Sequence, residues 1–201
     1  MTVPAAWFYW LFPLVFLIHD AEEILLVERW LARHGPVLIQ RFGRYRLARI
    51  ILERAQGTTT ARFSTMVAAI FIGVCTASYL GAKGQTAWFA AGVLLLFANV
   101  LTHAGQALFA WSYTPGLVTA VAVALPYCLY AYGSLVAAGF FQWSLLWAAA
   151  PVALIVLVLA FLAGYLAGRR LSPRKRSSST SVSGPVSATE RASFPTEQVA
   201  K

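Results

Sequence analysis

Five apolar runs, each close to the length that crosses a lipid bilayer, constrain the fold of this sequence more than any other feature. They lie at about residues 5–27, 63–80, 86–110, 117–140 and 144–167. An α-helix needs about 20 apolar residues to cross the hydrocarbon core of a membrane. Only 11% of the 201 residues are charged, whereas soluble domains average about 25%. The sequence therefore predicts an all-α polytopic membrane protein built as a five-helix transmembrane bundle.

Two blocks of basic residues predict how this bundle is oriented. Half of the 16 Lys and Arg residues lie between residues 28 and 62, and a second block follows the last apolar run at residues 169–176. Basic segments beside membrane spans stay on the cytoplasmic side. Four runs separate the two blocks, so both can be cytoplasmic, with the N-terminus outside. We therefore expect a multi-pass protein of the cell (plasma) membrane.

The basic blocks also divide the chain into segments. Residues 1–168 are predicted to form the membrane domain, and residues 169–201 a basic, then Ser/Thr-rich, disordered cytoplasmic tail. After the Gly35-Pro36 break, residues 36–55 are predicted to form an amphipathic helix on the anionic membrane surface. A solvated loop is the alternative for this stretch.

The formal net charge of +9 would suggest a nucleic-acid partner in a soluble protein. Here the basic residues are explained by membrane orientation, so we expect the lipid bilayer as partner and no nucleic acid. An oligomer is possible, but the sequence does not specify one.

One short stretch, His19-Asp20-Ala21-Glu22-Glu23, interrupts the first apolar run with four ionisable residues. On a helix, His19, Glu22 and Glu23 stand at i, i+3 and i+4 and share one face. Acids inside an apolar segment are costly and indicate a functional site. If the run ended near Ile18 the acids would lie at the membrane interface, but the run would then be too short to span. Burial is therefore favoured.

A second polar stripe lies on the third run, where Asn99, His103 and Gln106 stand at i, i+4 and i+7. The first and third runs both lead from outside to inside, so the two stripes fall at similar depth. We expect His19, Glu22 or Glu23 to face His103 across a shared cavity. Asp20 is expected either to support this site or to pack between helices.

These motifs resemble a known family. The His-x-x-Glu-Glu signature at residues 19–23, the later His103, and Tyr-x-Pro-Gly ending at Gly116 are similar to the HXXEE family of small bacterial membrane proteins. The resemblance covers about residues 5–165. It implies an enzyme, but no reaction. Pro115-Gly116 also suits a turn, which would place Tyr113 as a hydrogen-bond donor near the site.

Three functions agree with these residues. A metal site would use two imidazoles and the carboxylates with Zn²⁺ or Fe²⁺, in hydrolase-like chemistry. A metal-free isomerase or cyclase would transfer protons through the same groups. A proton- or metal-coupled carrier is the third. Either enzyme would act on an apolar or amphipathic, lipid- or isoprenoid-like substrate. The candidate ligands are His19, Glu22, Glu23 and His103, and the catalytic set adds Asn99 and Tyr113.

Overall fold

The structure, a computed structural model, describes residues 5–171, and all regular secondary structure in that range is helical. Of the predicted basic, then Ser/Thr-rich, tail at 169–201, the first three residues belong to the last helix, and 172–201 lie outside the described residues. The helices are α1 (Ala6–Phe42), α2 (Arg46–Gln56), α3 (Thr60–Ala82), α4 (Thr86–Ala110), α5 (Leu117–Thr119), a π-helical segment (Ala120–Ala124), α6 (Leu125–Ala137) and α7 (Trp143–Leu171).

Helix α5, the π-helical segment and α6 form one continuous apolar rod over Leu117–Ala137. Pro126, at the start of α6, has no N–H for the carbonyl of Ala122 one turn earlier. The wider π-helical turn beside it accommodates this missing hydrogen bond. As a result, the small residues Ala120 and Ala124 face the core without any exposed surface.

The fold corrects the expectation of five apolar spans. Within residues 5–171, four helical stretches are long and apolar enough to cross a membrane: α3, α4, the α5–α6 rod and α7. Helix α1 is not among them, because Asp20, Glu22 and Glu23 follow directly on its apolar first half. The predicted span over residues 5–27 included these three carboxylates, and their cost in an apolar segment was understated.

The predicted break at Gly35-Pro36 is wrong. Helix α1 continues through both residues to Phe42, and the separate helix begins at Arg46 rather than at 36. Proline inside a helix costs roughly 3 kcal/mol, so packing must outweigh it. Phe42 stacks on Phe109 at the end of α4, with ring centroids 3.9 Å apart. Tertiary contact thus overrides the local breaker.

Helix α1 runs parallel to α4 and in register with it. The Phe8 and Phe89 rings lie 5.5 Å apart near the two helix starts. Further along, His19 is 2.9 Å from Asn99, and Glu23 is 2.6 Å from His103. In each of these three contacts, the residue in α4 lies about eighty positions after its partner in α1. The polar stripes of α1 and α4 therefore meet at the same level of the bundle.

Arg62, Arg169 and Arg170 lie at one end of the bundle. Gly168 in α7 lies against Arg62 in α3, since a Cβ on Gly168 would come within 3.1 Å of the Arg62 Cα. Arg169 and Arg170 follow at that end. At the same end, Glu28 accepts hydrogen bonds of 2.6 Å from both the hydroxyl and the N–H of Thr60. These two bonds lower the pKa of Glu28 and fix α1 to the start of α3.

Candidate functional site

The centre of the site is a contact between Glu23 of α1 and His103 of α4. Glu23 Oε1 lies 2.6 Å from His103 Nε2 and 3.8 Å from His19 Nε2. The two imidazoles pack edge to face, with centroids 4.9 Å apart. His19 is fully buried and His103 is 5% exposed. A contact of 2.6 Å is a short hydrogen bond between a carboxyl group and an imidazole.

His103 holds its proton on the nitrogen that faces Glu23. Its other ring nitrogen, Nδ1, is buried and has no hydrogen-bond partner in the part of the chain that the structure describes. An N–H at that position would be an unsatisfied donor, which is costly in the interior. The neutral Nε2–H tautomer avoids this cost and donates to Glu23 Oε1. The pair therefore shares one proton along a single oxygen–nitrogen axis.

His19 is held in one tautomer by partners on both ring nitrogens. Thr119 Oγ1 lies 2.6 Å from Glu22 Oε2 and 3.1 Å from His19 Nδ1. Because a hydroxyl has only one hydrogen, Thr119 donates to the Glu22 carboxylate and accepts from His19 Nδ1–H. His19 Nε2 then accepts from the Asn99 amide at 2.9 Å. A directed chain of hydrogen bonds thus runs from α4 through His19 to Glu22.

Glu22 is the anchored carboxylate of the site. Besides the Thr119 hydroxyl, it accepts the Thr119 backbone N–H at 2.8 Å and the phenolic O–H of Tyr113. Tyr113 is positioned in turn by the Trp30 indole, which donates to its carbonyl at 2.7 Å. Burial, and after it the hydrogen bond and charge of Glu22, raise the pKa of Tyr113 to about 12. The phenol therefore stays a donor at neutral pH.

The turn between α4 and α5 closes over Glu23 and His103. Gly116 has a positive φ of 86°, a conformation that favours glycine. A Cβ there would come within 2.6 Å of His103 Cε1 and 2.7 Å of Glu23 Oε1. Backbone can approach the pair this closely only without a side chain. The Tyr-x-Pro-Gly motif thus contributes a donor to Glu22 through Tyr113 and a close-packed wall to Glu23 through Gly116.

A large apolar cavity adjoins this network. It has a volume of about 1060 Å³ and lies between α1, α3, α4 and α7. Phe12, Phe16, Leu96 and residues of α3 and α7 make most of its wall. The polar side chains Asp20, Glu23, Asn99 and Thr102 also line it. Glu23 therefore contacts the His103 imidazole on one side and the cavity on the other.

The structure differs from what the sequence predicted for Gln106, and it decides between the two roles expected of Asp20. Gln106 was expected on the same polar face as Asn99 and His103, but it is exposed and outside the network. It lies nearer the end of α4, beyond the level of Glu23. Asp20 does not support the His19–His103 pair. It is 6% exposed, lines the cavity, and its Oδ2 has no hydrogen-bond partner.

Sequence reasoning missed three contributors: Thr119, Trp30 and the backbone at Gly116. Thr119 joins His19 to Glu22, yet a threonine near a helix start is an ordinary capping residue in a sequence. From the sequence, Trp30 is equally consistent with an aromatic residue at the membrane interface and with a role at the site. The positive φ of Gly116 was foreseeable from the Pro-Gly turn, but its partner was not.

Three ligand atoms of the site could share a metal ion. One atom each from His19, Glu23 and His103 lie within 4.8 Å of one another. Glu22 was a predicted ligand, but it is not in this group, since its carboxylate is held by Thr119 and Tyr113. The donor types suit Zn²⁺ or Fe²⁺ with open positions. However, the 2.6 Å spacing of Glu23 and His103 fits a shared proton better than two ligands that are each about 2.0–2.2 Å from one ion.

Comparison with known proteins assigns the family. The chain matches the family described as proteins of unknown function with an HXXEE motif over residues 10–131, more than half of its length. It belongs to that family, as the motifs predicted. The matched region contains His19, Glu23, His103 and Gly116 and ends before α7. No curated protein and no solved structure matches the chain.

The close approach of Gly116 can be tested against a matched glycine. Gly84 has nearly the same φ, 88°, but nothing lies within 4 Å of a Cβ built there. Gly84→Ala should cost about 1 kcal/mol of unfolding free energy from backbone strain alone. Gly116→Ala should cost about 1–3 kcal/mol more, because the methyl group displaces Glu23 and His103. Chemical unfolding of both variants in detergent measures the difference, and equal losses would contradict the contact described here.

Proposed function

We propose that this protein is an integral membrane enzyme that moves a proton on an apolar or amphipathic, lipid- or isoprenoid-like substrate. The observation that carries the proposal is the position of Glu23, which lines the apolar cavity and is hydrogen-bonded to His103 at 2.6 Å. A carboxyl group that faces an apolar cavity and has a proton partner behind it is suited to general acid–base catalysis.

The proposed reaction needs no external co-reactant. Glu23, as the carboxylate, takes a proton from one carbon of the substrate, and the electron pair moves into an adjacent unsaturated system. The resulting Glu23 carboxylic acid returns a proton at another position, so atoms and electrons balance, and exchange of this acid with solvent before the return brings a solvent hydrogen into the product. The Nε2–H of His103 steadies the carboxylate form by hydrogen bonding, and the buried surroundings keep water from competing.

His19 and Glu22 have a positioning role in this proposal. His19 is hydrogen-bonded at both ring nitrogens, and Glu22 is held by Thr119 and Tyr113. Groups fixed in this way hold the backbone and neighbours of Glu23 in one geometry, which catalysis requires to within a fraction of an ångström. Glu23 is therefore the residue on which the chemistry depends.

The decisive variant is Glu23→Gln, which keeps the shape of the side chain but cannot transfer a proton. The purified chain in nanodiscs would be incubated in D₂O with lipids extracted from cells that make the protein. We expect deuterium to enter one lipid class, and Glu23→Gln to reduce the rate at least about 100-fold. Glu53→Gln, an exposed change on α2, should retain the wild-type rate.

Equal incorporation by wild type and Glu23→Gln would overturn this proposal. Proton-coupled flux across sealed liposomes, abolished by the same substitution and without any lipid product, would favour a carrier instead.

A metal-dependent enzyme is the second candidate, favoured by the group formed by His19, Glu23 and His103. A bound Zn²⁺ or Fe²⁺ would supply Lewis-acid chemistry at the cavity wall. His19 and His103 would hold it through imidazole nitrogens, and Glu23 through its carboxylate. His19 would have to give up its bond from Asn99 to do so.

Metal content separates the two candidates. The metal-dependent enzyme predicts about one metal ion per chain after purification, lost in both His19→Ala and His103→Ala. Elemental analysis by mass spectrometry measures this, with His34→Ala as control because His34 is not in the group of ligand atoms formed by His19, Glu23 and His103. Well-folded protein that binds no Zn²⁺ or Fe²⁺ even when the ion is added would exclude this candidate.

The membrane arrangement is part of the proposal. Helices α3, α4, α5–α6 and α7 are the spans, and α1 packs along α4 with Glu22 and Glu23 hydrogen-bonded inside the bundle. The end that carries α2 and Arg169 is cytoplasmic. Helix α2 has no buried residue and exposes Leu47 and Ile51 on one surface. Its alternation of apolar and basic residues suits a helix that lies on an anionic membrane surface.

Cysteine labelling in a cysteine-free background tests this arrangement. Lys83→Cys should react with an impermeant thiol reagent on intact cells, and Arg49→Cys only after permeabilisation, because the two lie at opposite ends of the bundle. A polarity-sensitive dye should report an apolar environment at Ile51→Cys and water at Glu53→Cys. The opposite labelling pattern would reverse the orientation, and an aqueous signal at both α2 positions would exclude the interfacial helix.

A further inference from the structure

The cavity beside Glu23 is elongated and has ionisable side chains at one end only, since the other polar lining residue, Thr76, donates its hydroxyl to the Ile72 carbonyl of its own helix. Its α4 wall runs from Trp88 to Thr102, fourteen positions, which corresponds to about 21 Å of helix. Asp20, Glu23 and Asn99 lie with Thr102 at one end, whereas Leu80 and Trp88 line the other end. Such a shape fits a long chain with a single polar group better than a compact ligand.

Asp20 marks the polar end as a binding position. The residue is only 6% exposed, and its Oδ2 has no hydrogen-bond partner. An unpaired buried carboxyl oxygen costs roughly 1–3 kcal/mol or more. The fold does not recover this cost within the described residues. A ligand that donates a hydrogen bond to Oδ2 would recover it.

The charges of the lining define which head group fits. Among the described residues that line the cavity, none is Lys, Arg or His, and the two ionisable side chains, Asp20 and Glu23, are both acidic. A phosphate or carboxylate head would meet carboxyl groups with no compensating cation. A hydroxyl or an amine would donate to Asp20 without that repulsion.

We propose that the cavity holds a single-chain amphiphile whose head donates a hydrogen bond to Asp20 Oδ2 and whose hydrocarbon tail extends along α4 to Trp88. The head carries no negative charge. With C–C bonds of about 1.5 Å in a zigzag, each carbon advances the chain by about 1.25 Å, so about 21 Å corresponds to roughly 16 carbons. This inference rests on the proposed function for the role of Glu23, and it names the substrate class of that site.

Gly73 offers a way to fill the cavity without disturbing the fold. It lies in α3 on the cavity wall, and nothing lies within 4 Å of a Cβ built there. Gly133 in α6 is a matched control, because its Cβ would also meet nothing within 4 Å and it does not line the cavity. Gly73→Leu should occupy the tail path, whereas Gly133→Leu should not.

The experiment measures binding of radiolabelled 1-hexadecanol and hexadecylamine to the purified full-length chain in detergent, with palmitate and octanol as comparison probes. We expect saturable binding of the C16 alcohol or amine at about one per chain, at least tenfold weaker binding of palmitate at neutral pH, and at least tenfold weaker binding of octanol. Asp20→Leu should weaken binding of the C16 alcohol or amine at least tenfold. Gly73→Leu should do the same, and Gly133→Leu should have no effect.

Thermal stability distinguishes a ligand contact from a structural role of Asp20. Because Asp20 Oδ2 is unpaired, Asp20→Leu should leave the melting temperature unchanged or raise it while binding is lost. A lower melting temperature together with retained binding would overturn the proposal. Equal binding of palmitate and hexadecanol, or unchanged binding in Gly73→Leu, would also overturn it.

Glu23→Gln separates this inference from the proposed function. It should bind the C16 probe while failing to exchange deuterium. Binding without exchange in the wild type would leave the inference standing and overturn the proposed chemistry. Exchange into a lipid class that lacks a hydroxyl or amine head would support the chemistry and overturn the inference.

Discussion

The hydrogen bond between Glu23 and His103 is the interaction on which the rest of the site depends. Both groups lie among apolar helices, where an unpaired charge would be strongly destabilising. Their 2.6 Å contact joins α1 to α4, and it requires those helices to run side by side in register. Gly116 is then needed because only a residue without a side chain can pass this close to the pair.

The site combines one fixed carboxylate with one that faces a cavity. Glu22 is held by Thr119 and Tyr113, whereas Glu23 is held by a single imidazole and lines an apolar space. Two neighbouring acids of the same motif thus have different surroundings, which is how proteins assign different roles to similar groups. In the proposed function, Glu22 maintains the geometry that Glu23 uses.

Much of this arrangement was predictable from residue patterns. Runs of apolar residues determine that the chain is helical, because backbone groups away from water must be paired within their own segment. The spacing of His19, Glu22 and Glu23 places them on one face, and the same holds for Asn99 and His103. The prediction that these two faces meet followed from counting residues along two parallel helices. The prediction was wrong for Gln106, which lies beyond the level of Glu23 and is exposed.

The sequence by itself determined the class of fold and the family and indicated His19, Glu23 and His103 as candidates, since hydropathy and short spacings are local properties of a chain. It did not determine that α1 continues past Pro36, because the stacking of Phe42 on Phe109 joins residues far apart in sequence. Nor did it reveal the role of Thr119, the separation of Asp20 from the His pair, or the cavity. These depend on how α1, α3, α4 and α7 pack around the cavity, and that packing exists only in the tertiary structure.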